Sequence, residues 1–108
     1  MAFKMAQQPT FKVKVTVPVP NNRGGVDKNT FVAVFKRTST DELADLGERR
    51  LNDADLVRDR IVDWELVDAD TNAPIPFTAE NLEALLQIQP TPKFTALAFY
   101  ENAYGGKP

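Results

Sequence analysis

The chain has 108 residues, 43% of them hydrophobic and 26% charged, and a net charge of −2. These values are typical of one globular domain, and the small net charge gives no long-range attraction to nucleic acid or to an anionic membrane. The sequence has neither cysteine nor histidine, which excludes disulfides, cysteine-ligated zinc and histidine general-base chemistry. No apolar run reaches the roughly 18 residues of a membrane span. We therefore expect a soluble, cytoplasmic single domain over residues 1–108, with flexible ends at 1–9 and 105–108.

The first predicted element is a half-buried strand over residues 10–19. Its side chains alternate with period two, apolar on one side and polar on the other. The apolar side holds Phe11, Val13, Val15 and Val17, and the polar side holds Lys12, Lys14 and Thr16. Pro18 and Pro20 cannot donate to a ladder hydrogen bond, so they end the strand or hold it at a sheet edge.

A second strand is predicted to start at Thr30, after a turn over residues 21–29, and to pair with the first as a hairpin. This strand is apolar on both faces, with Phe31, Ala33 and Phe35 on one and Val32 and Val34 on the other. An isolated hairpin is marginal in water. Either helices cover one side and another chain the other, or further strands join the sheet.

A helix is expected next, because Ser39 and Glu42 have the spacing of a capping box. Leu43 and Leu46 follow at helical spacing. Gly47 weakens this helix relative to alanine, which predicts a packing role or a bend at that position.

A second charged helix can be capped by Asn52 or Asp53. The apolar residues of this helix recur at helical spacing and share one face, so we expect Arg60 to point toward solvent. We place the helix end at about Val62, with extended chain over residues 64–67; a short strand over residues 61–67 is the alternative.

A loop over residues 68–76 leads to the most clearly marked helix start in the chain. Thr78 is placed to cap this helix, with Glu80 in its first turn, near the positive end of the helix dipole. Phe77 and Leu82 have the spacing of a hydrophobic staple. The expected buried stripe is Leu82, Leu85 and Leu86.

The last helix opens at Thr91-Pro92, with proline at its first position, and ends at Gly105-Gly106. We place Phe94, Leu97, Ala98 and Glu101 on one side of it. The aromatic residues cannot all face that side, and aromatic side chains on a second face are typical of an interface. These residues are Phe94, Phe99, Tyr100 and Tyr104. Together the elements predict an α+β fold in which an N-terminal antiparallel hairpin or small sheet packs against three to four helices.

The sequence predicts no catalytic, cofactor or metal site. Asp68, Asp70 and Asn72 imitate the opening of a calcium loop, but Ala73 and Ala79 stand where that loop requires glycine and glutamate. An Asx-type turn is favoured instead. The abundant carboxylates neighbour arginines, which indicates solvated ion pairs, and a serine triad is impossible without histidine.

Nucleic-acid binding is the rival interpretation from another functional class. Four basic residues lie on or beside the hairpin, and three phenylalanines there could stack on bases. The basic residues are Lys12, Lys14, Lys36 and Arg37, and the aromatics are Phe11, Phe31 and Phe35. The alternation places Phe11 away from the lysines of the first strand, which favours burial in the core.

The central run of the chain resembles the tail assembly chaperones of long-tailed, siphophage-type bacteriophages and prophages. Three features carry the resemblance: an apolar approach to Trp64, an acidic turn, and a Pro-Phe-Thr-x-Glu-Asn-Leu start to a helix. The residues of this motif are Trp64, Asp68, Pro76, Phe77, Thr78, Glu80, Asn81, Leu82, Leu85 and Leu86.

The resemblance implies a non-enzymatic role. Such chaperones hold the tape measure protein, keep it soluble and help recruit tail tube subunits. It implies further that the protein acts in the cytoplasm of the bacterial host and is absent from the mature virion. The two apolar strand faces and the spare aromatic residues of the last helix predict self-association. Composition predicts no cofactor and no membrane partner, and it disfavours nucleic acid. A minor structural tail protein is an alternative. We expect Val32, Val34, Phe94, Phe99, Tyr100 and Tyr104 to carry the contacts with other proteins.

Overall fold

The computed structural model describes residues 2–104 and has the predicted α+β architecture. Its three strands form one sheet, and the described residues also form four helices, of which the last packs on the first strand. In chain order the elements are β1 (Thr10–Pro20), β2 (Val26–Lys36), α1 (Thr40–Arg49), α2 (Asp53–Arg60), β3 (Ile61–Glu65), α3 (Ala79–Leu86) and α4 (Thr91–Ala103). The expected flexible end at 105–108 and the helix stop at Gly105-Gly106 lie outside the described residues.

The sheet is antiparallel in the order β1-β2-β3, so that β1 is an edge strand. The backbone N–H of Arg37 donates to the carbonyl oxygen of Pro9 at 2.8 Å, and Thr10 pairs with Lys36 next to it. In this register the odd residues of β1 bond to β2, and the even residues direct their backbone groups away from the sheet. Pro18 and Pro20 occupy even positions, where their missing N–H costs no ladder hydrogen bond.

The hairpin is longer than predicted, because β2 begins at Val26 and not at Thr30. The turn is confined to residues 21–25. The side-chain oxygen of Asn21 accepts hydrogen bonds from the backbone N–H groups of Arg23 and Gly25, at 2.9 and 3.1 Å. Gly24 has φ 84°, which favours glycine. The first residues of β2 are exposed, so no apolar alternation marked them as strand.

A third strand joins the sheet where a helix end was expected. The prediction that α2 extends to Val62 is wrong, because the helix ends at Arg60. Phe35 pairs with Ile61 while its neighbour Val34 pairs with Asp63, which leaves Val62 as the extra residue of a β-bulge. The bulge puts Ile61 and Trp64, three residues apart, on the same buried face.

One hydrophobic core lies between the sheet and the helices. At its centre three rings are in contact: Phe35 and Phe99 edge to face at 5.1 Å, with Phe11 at 5.8 Å and 6.1 Å from them. Such aromatic pairs stabilise beyond their area burial. The buried valines of β1 and the odd residues of β2 complete the sheet side, as the alternation predicted.

Helix α1 begins as predicted, since Ser39 and Glu42 form both hydrogen bonds of a capping box. The predicted packing role of Gly47 is wrong, because a Cβ there would meet no atom within 4 Å. The outward placement of Arg60 is also wrong, because this side chain is buried. Its Nη2 donates to Thr38 Oγ1 at 2.9 Å and lies 3.6 Å from the Glu42 carboxylate, so the end of α2 anchors the start of α1.

Helix α4 faces the core with one side. Pro92, Thr95, Ala96 and Phe99 are buried, at the i, i+3, i+4, i+7 spacing of a helix face. Leu97 and Glu101, which were expected on one side with Phe94, are exposed. The small side chains of Thr95 and Ala96 permit close packing of the helix on its neighbours.

Candidate interaction site

The central motif is a structural unit built around Trp64. The indole Nε1–H donates to the carbonyl oxygen of Ile75 at 2.8 Å, and the ring of Phe77 meets the indole edge to face at 5.0 Å. The chain that leaves β3 at Glu65 is thereby held where it returns at residues 75–77. A buried tryptophan requires such a partner for its N–H.

The acidic turn of the motif is an Asx-type turn, as predicted. The carboxylate of Asp68 accepts hydrogen bonds from the backbone N–H groups of Asp70 and Thr71, at 2.8 and 3.2 Å. Asn72 has φ 58°, a left-handed conformation that asparagine tolerates. In the described residues, no group of three or more acidic side chains is arranged to hold a metal ion.

The helix start of the motif is confirmed. Thr78 Oγ1 accepts from the backbone N–H of Asn81 at 3.0 Å, and the side-chain amide of Asn81 donates to the carbonyl oxygen of Pro76 at 2.9 Å. Glu80 lies in the first turn. Of the predicted stripe, Leu82 and Leu86 are buried and Leu85 is half-buried.

The predicted contact residues of the hairpin lie on the sheet face that the helices leave uncovered. Val32 is half-buried and Val34 is 9% exposed. Lys12 Nζ and Glu65 Oε2 form a 2.8 Å ion pair. Because Lys12 pairs with Val34 and Glu65 with Val32, this ion pair crosses the middle strand over the two valines. The hydrogen bond to Glu65, followed by its charge, raises the pKa of Lys12.

Of the predicted contact residues of α4, one lies in the core and the others are half-buried or exposed. Phe99 is 0% exposed, so its placement on a free face is wrong: it is one of the three rings at the centre of the core. Phe94 and Tyr100 are half-buried, and Tyr104 is 70% exposed. The rings of Tyr100 and Tyr104 stack at 6.2 Å. Burial, and then the neighbouring Tyr104, raise the pKa of Tyr100.

An open groove of about 510 Å³ lies between the edge strand β1 and helix α4. We call it the β1–α4 groove. Phe94, Leu97 and Ala98 supply its apolar wall, and Lys12 and Lys14 lie on the strand side. Leu97 is 46% exposed. No contact role was predicted for Leu97, although its exposure follows once Thr95, Ala96 and Phe99 are known to face the core.

A second groove of about 490 Å³ lies between the half of the hairpin next to its turn, the loop after β3 and the end of α3. Val17, Val19 and Leu85 line it, together with the exposed side chains of Val67 and Ile88. No sequence pattern singled out Val67 or Ile88 as surface contacts: Ile88 stands between two glutamines, and Val67 follows Leu66 at the start of the acidic loop.

The aromatic residues required for base stacking are not on the surface. Phe31 and Phe35 are buried, and the half-buried ring of Phe11 packs on Phe35 and Phe99, with the guanidinium of Arg37 5.4 Å from its centre. The lysines of the hairpin therefore have no stacking partners among these three rings.

A family model described as "Phage tail assembly chaperone" matches residues 1–107. Neither the curated proteins nor the solved structures contain a significant match to the chain. Within residues 2–104, no helix has the length and apolar character needed to cross a bilayer.

Proposed function

We propose that this chain, which belongs to the phage tail assembly chaperone family, binds the tape measure protein, keeps it soluble and helps recruit tail tube subunits. It acts without catalysis, in the cytoplasm of the bacterial host, and is absent from the mature virion. It associates with further copies of itself. If the chain were instead a minor structural tail protein, it would be found in purified virions.

The observation that carries this proposal is the β1–α4 groove. A long helical client exposes apolar stripes, and an amphipathic helix binds by laying its apolar face into a groove. Leu97 is exposed at the rim, while Phe94 and Ala98 offer further apolar surface. Burial of such an exposed leucine side chain under another chain removes apolar surface from water, which favours the complex.

The shallow form of the groove supports a holding role. Each contact buries few side chains and is individually weak, so that release at tube assembly requires little work. Many copies along one client would still give a high overall affinity, because each further contact is intramolecular. The structural motif around Trp64 contributes indirectly, since it fixes α3, against which α4 packs.

Co-purification tests the proposal. The tape measure protein is co-expressed with the tagged chain, either unchanged or carrying Leu97→Asp or Tyr104→Asp. Val26→Asp is the matched control, because Val26 is as exposed as Leu97 but lies at the start of β2, outside the groove. We expect Leu97→Asp to lower recovery of the client at least tenfold and Val26→Asp to leave it unchanged. Equal recovery with Leu97→Asp and Val26→Asp would refute the assignment of this groove.

A further inference from the structure

The small net charge conceals two parts of opposite sign. Residues 1–38 carry seven lysines and arginines and one aspartate, whereas residues 39–108 carry six lysines and arginines and fourteen acidic residues. The basic part is the N-terminal segment with the hairpin, and the acidic part holds all four helices and β3. A molecule with this distribution has complementary surfaces for another copy of itself.

The basic surface is the β1 side of the sheet face without helices, which we call the outer sheet face; Asp63 and Glu65 of β3 lie at the opposite side of the same face. Lys36, Lys12 and Lys14 form a row on it, because Lys36 pairs with Thr10, two residues before Lys12. All three are exposed. Val32, half-buried, lies opposite Lys14, so the row borders a small apolar centre, as in many interfaces.

The acidic surface is the outward stripe of α1. Asp41, Asp45 and Glu48 follow one another at i, i+4 and i+7 and are all exposed, while Leu46 of the same helix is buried. Like charges four residues apart on a helix repel each other and destabilise it. A cationic partner surface would remove this repulsion.

We propose that the outer sheet face of one copy binds the acidic stripe of α1 of the next copy. The inference rests on the self-association included in the proposed function, and it needs no client. Lys12 and Lys14 lie about 6.7 Å apart along β1, and Lys36 lies one such step before Lys12 on the neighbouring strand. The acidic side chains are spaced by about 6.0 and 4.5 Å along the helix axis. A helix laid along the strands therefore brings its carboxylates within side-chain reach of Lys14 and Lys36, with Lys12, which already pairs with Glu65, between them.

The contact joins two different surfaces, so it is heterologous and adds copies head to tail. Lys12 and Lys14 also border the β1–α4 groove, so each copy keeps the apolar wall of that groove, formed by Phe94, Leu97 and Ala98, for a client. The resulting row of grooves suits a long client. Because every charge involved is exposed, the contact weakens as salt shortens the range of electrostatic attraction.

Charge exchange tests the pairing in the full chain without client. One variant carries Lys14→Glu and Lys36→Glu, and the other carries Asp45→Lys and Glu48→Lys. Lys12 is left unchanged because it already pairs with Glu65. Sedimentation velocity is measured in about 50 mM and about 500 mM salt, a range over which the screening length falls several-fold. Circular dichroism verifies that each variant is folded.

We expect the unchanged chain to self-associate at low salt and at least tenfold more weakly at high salt. Each double variant alone remains monomeric, and an equimolar mixture of the two associates again, because the exchanged charges restore both contacts. A variant with Lys4→Glu and Lys93→Glu has the same net charge as the first but leaves the outer sheet face intact, and it associates like the unchanged chain.

Three results would overturn the inference: an unchanged chain that stays monomeric at low salt, an association that neither salt nor the double variants weaken, or a mixture that stays monomeric. None of them bears on the client-binding groove, which co-purification with Leu97→Asp tests separately.

Discussion

Replacing Phe99 by alanine separates a core role from a contact role in α4. Phe99 is fully buried and packs against Phe11 and Phe35, so the change leaves a cavity and costs about 3–5 kcal/mol. Leu97, two residues earlier, is 46% exposed, and its replacement by alanine costs about 1 kcal/mol. The same helix thus offers a large and a small effect at positions two residues apart.

Urea unfolding measures both effects through the fluorescence of Trp64, the only tryptophan. With a slope of about 2 kcal/mol per molar urea, Phe99→Ala lowers the midpoint by about 2 M and Leu97→Ala by about 0.5 M. If Phe99→Ala prevents folding, Phe99→Leu keeps the comparison measurable, at a cost of about 1–1.5 kcal/mol. Equal midpoints for Phe99→Ala and Leu97→Ala would show that the orientation assigned to α4 is wrong.

Three further variants test local features of the fold. Gly47→Ala is expected to raise the free energy of unfolding by about 0.5–1 kcal/mol, because the helix gains propensity and the new Cβ meets no neighbour; an unchanged or lower urea midpoint would contradict this. The pKa of Glu42 lies below its ordinary value of 4.5, chiefly because the backbone N–H of Ser39 donates to it. A lowered folded-state pKa stabilises the fold above the unfolded-state pKa, and this stabilisation is lost as the pH falls through the folded-state pKa. Between about pH 5 and pH 3, Glu42→Gln should therefore lose less stability than the unchanged chain in acid titrations followed by circular dichroism, and parallel curves would exclude the effect. Trp64→Phe is expected to cost about 1–3 kcal/mol because the carbonyl oxygen of Ile75 loses its donor, and thermal unfolding within 1 °C of the unchanged chain would contradict that role.

Elements with a regular hydrophobic periodicity, and helix starts with a capping residue, were predictable from the sequence. The alternation of β1 and the caps at Ser39 and Thr78 depend on neighbouring residues alone, and each forms as predicted. The motif from Trp64 to Leu86 was also recognised, and the family match over residues 1–107 confirms the resemblance.

Elements shaped by tertiary pairing were not predictable. The bulge at Val62 gives Ile61 and Trp64 a three-residue spacing that is typical of a helix, although both belong to a strand. In α4, the polar Thr95 is buried while Leu97 is exposed, because packing space favoured small side chains over hydrophobic ones.

The candidate surfaces required the folded structure. Val32 and Val34 were correctly placed on the face opposite Phe31 and Phe35, but only the pairing register shows that Lys12 and Glu65 bridge over them. The oppositely charged halves are visible in the sequence when charge is counted by segment. Their relation to the outer sheet face and to α1 follows only from the fold.

The soluble fraction of the tape measure protein tests the central claim most directly. It is measured after expression alone, with the unchanged chain, and with the Leu97→Asp variant, at matched chaperone levels. The account predicts that the unchanged chain moves most of the client from the pellet to the supernatant and that Leu97→Asp does not. A client whose solubility is the same in all three conditions would contradict the account.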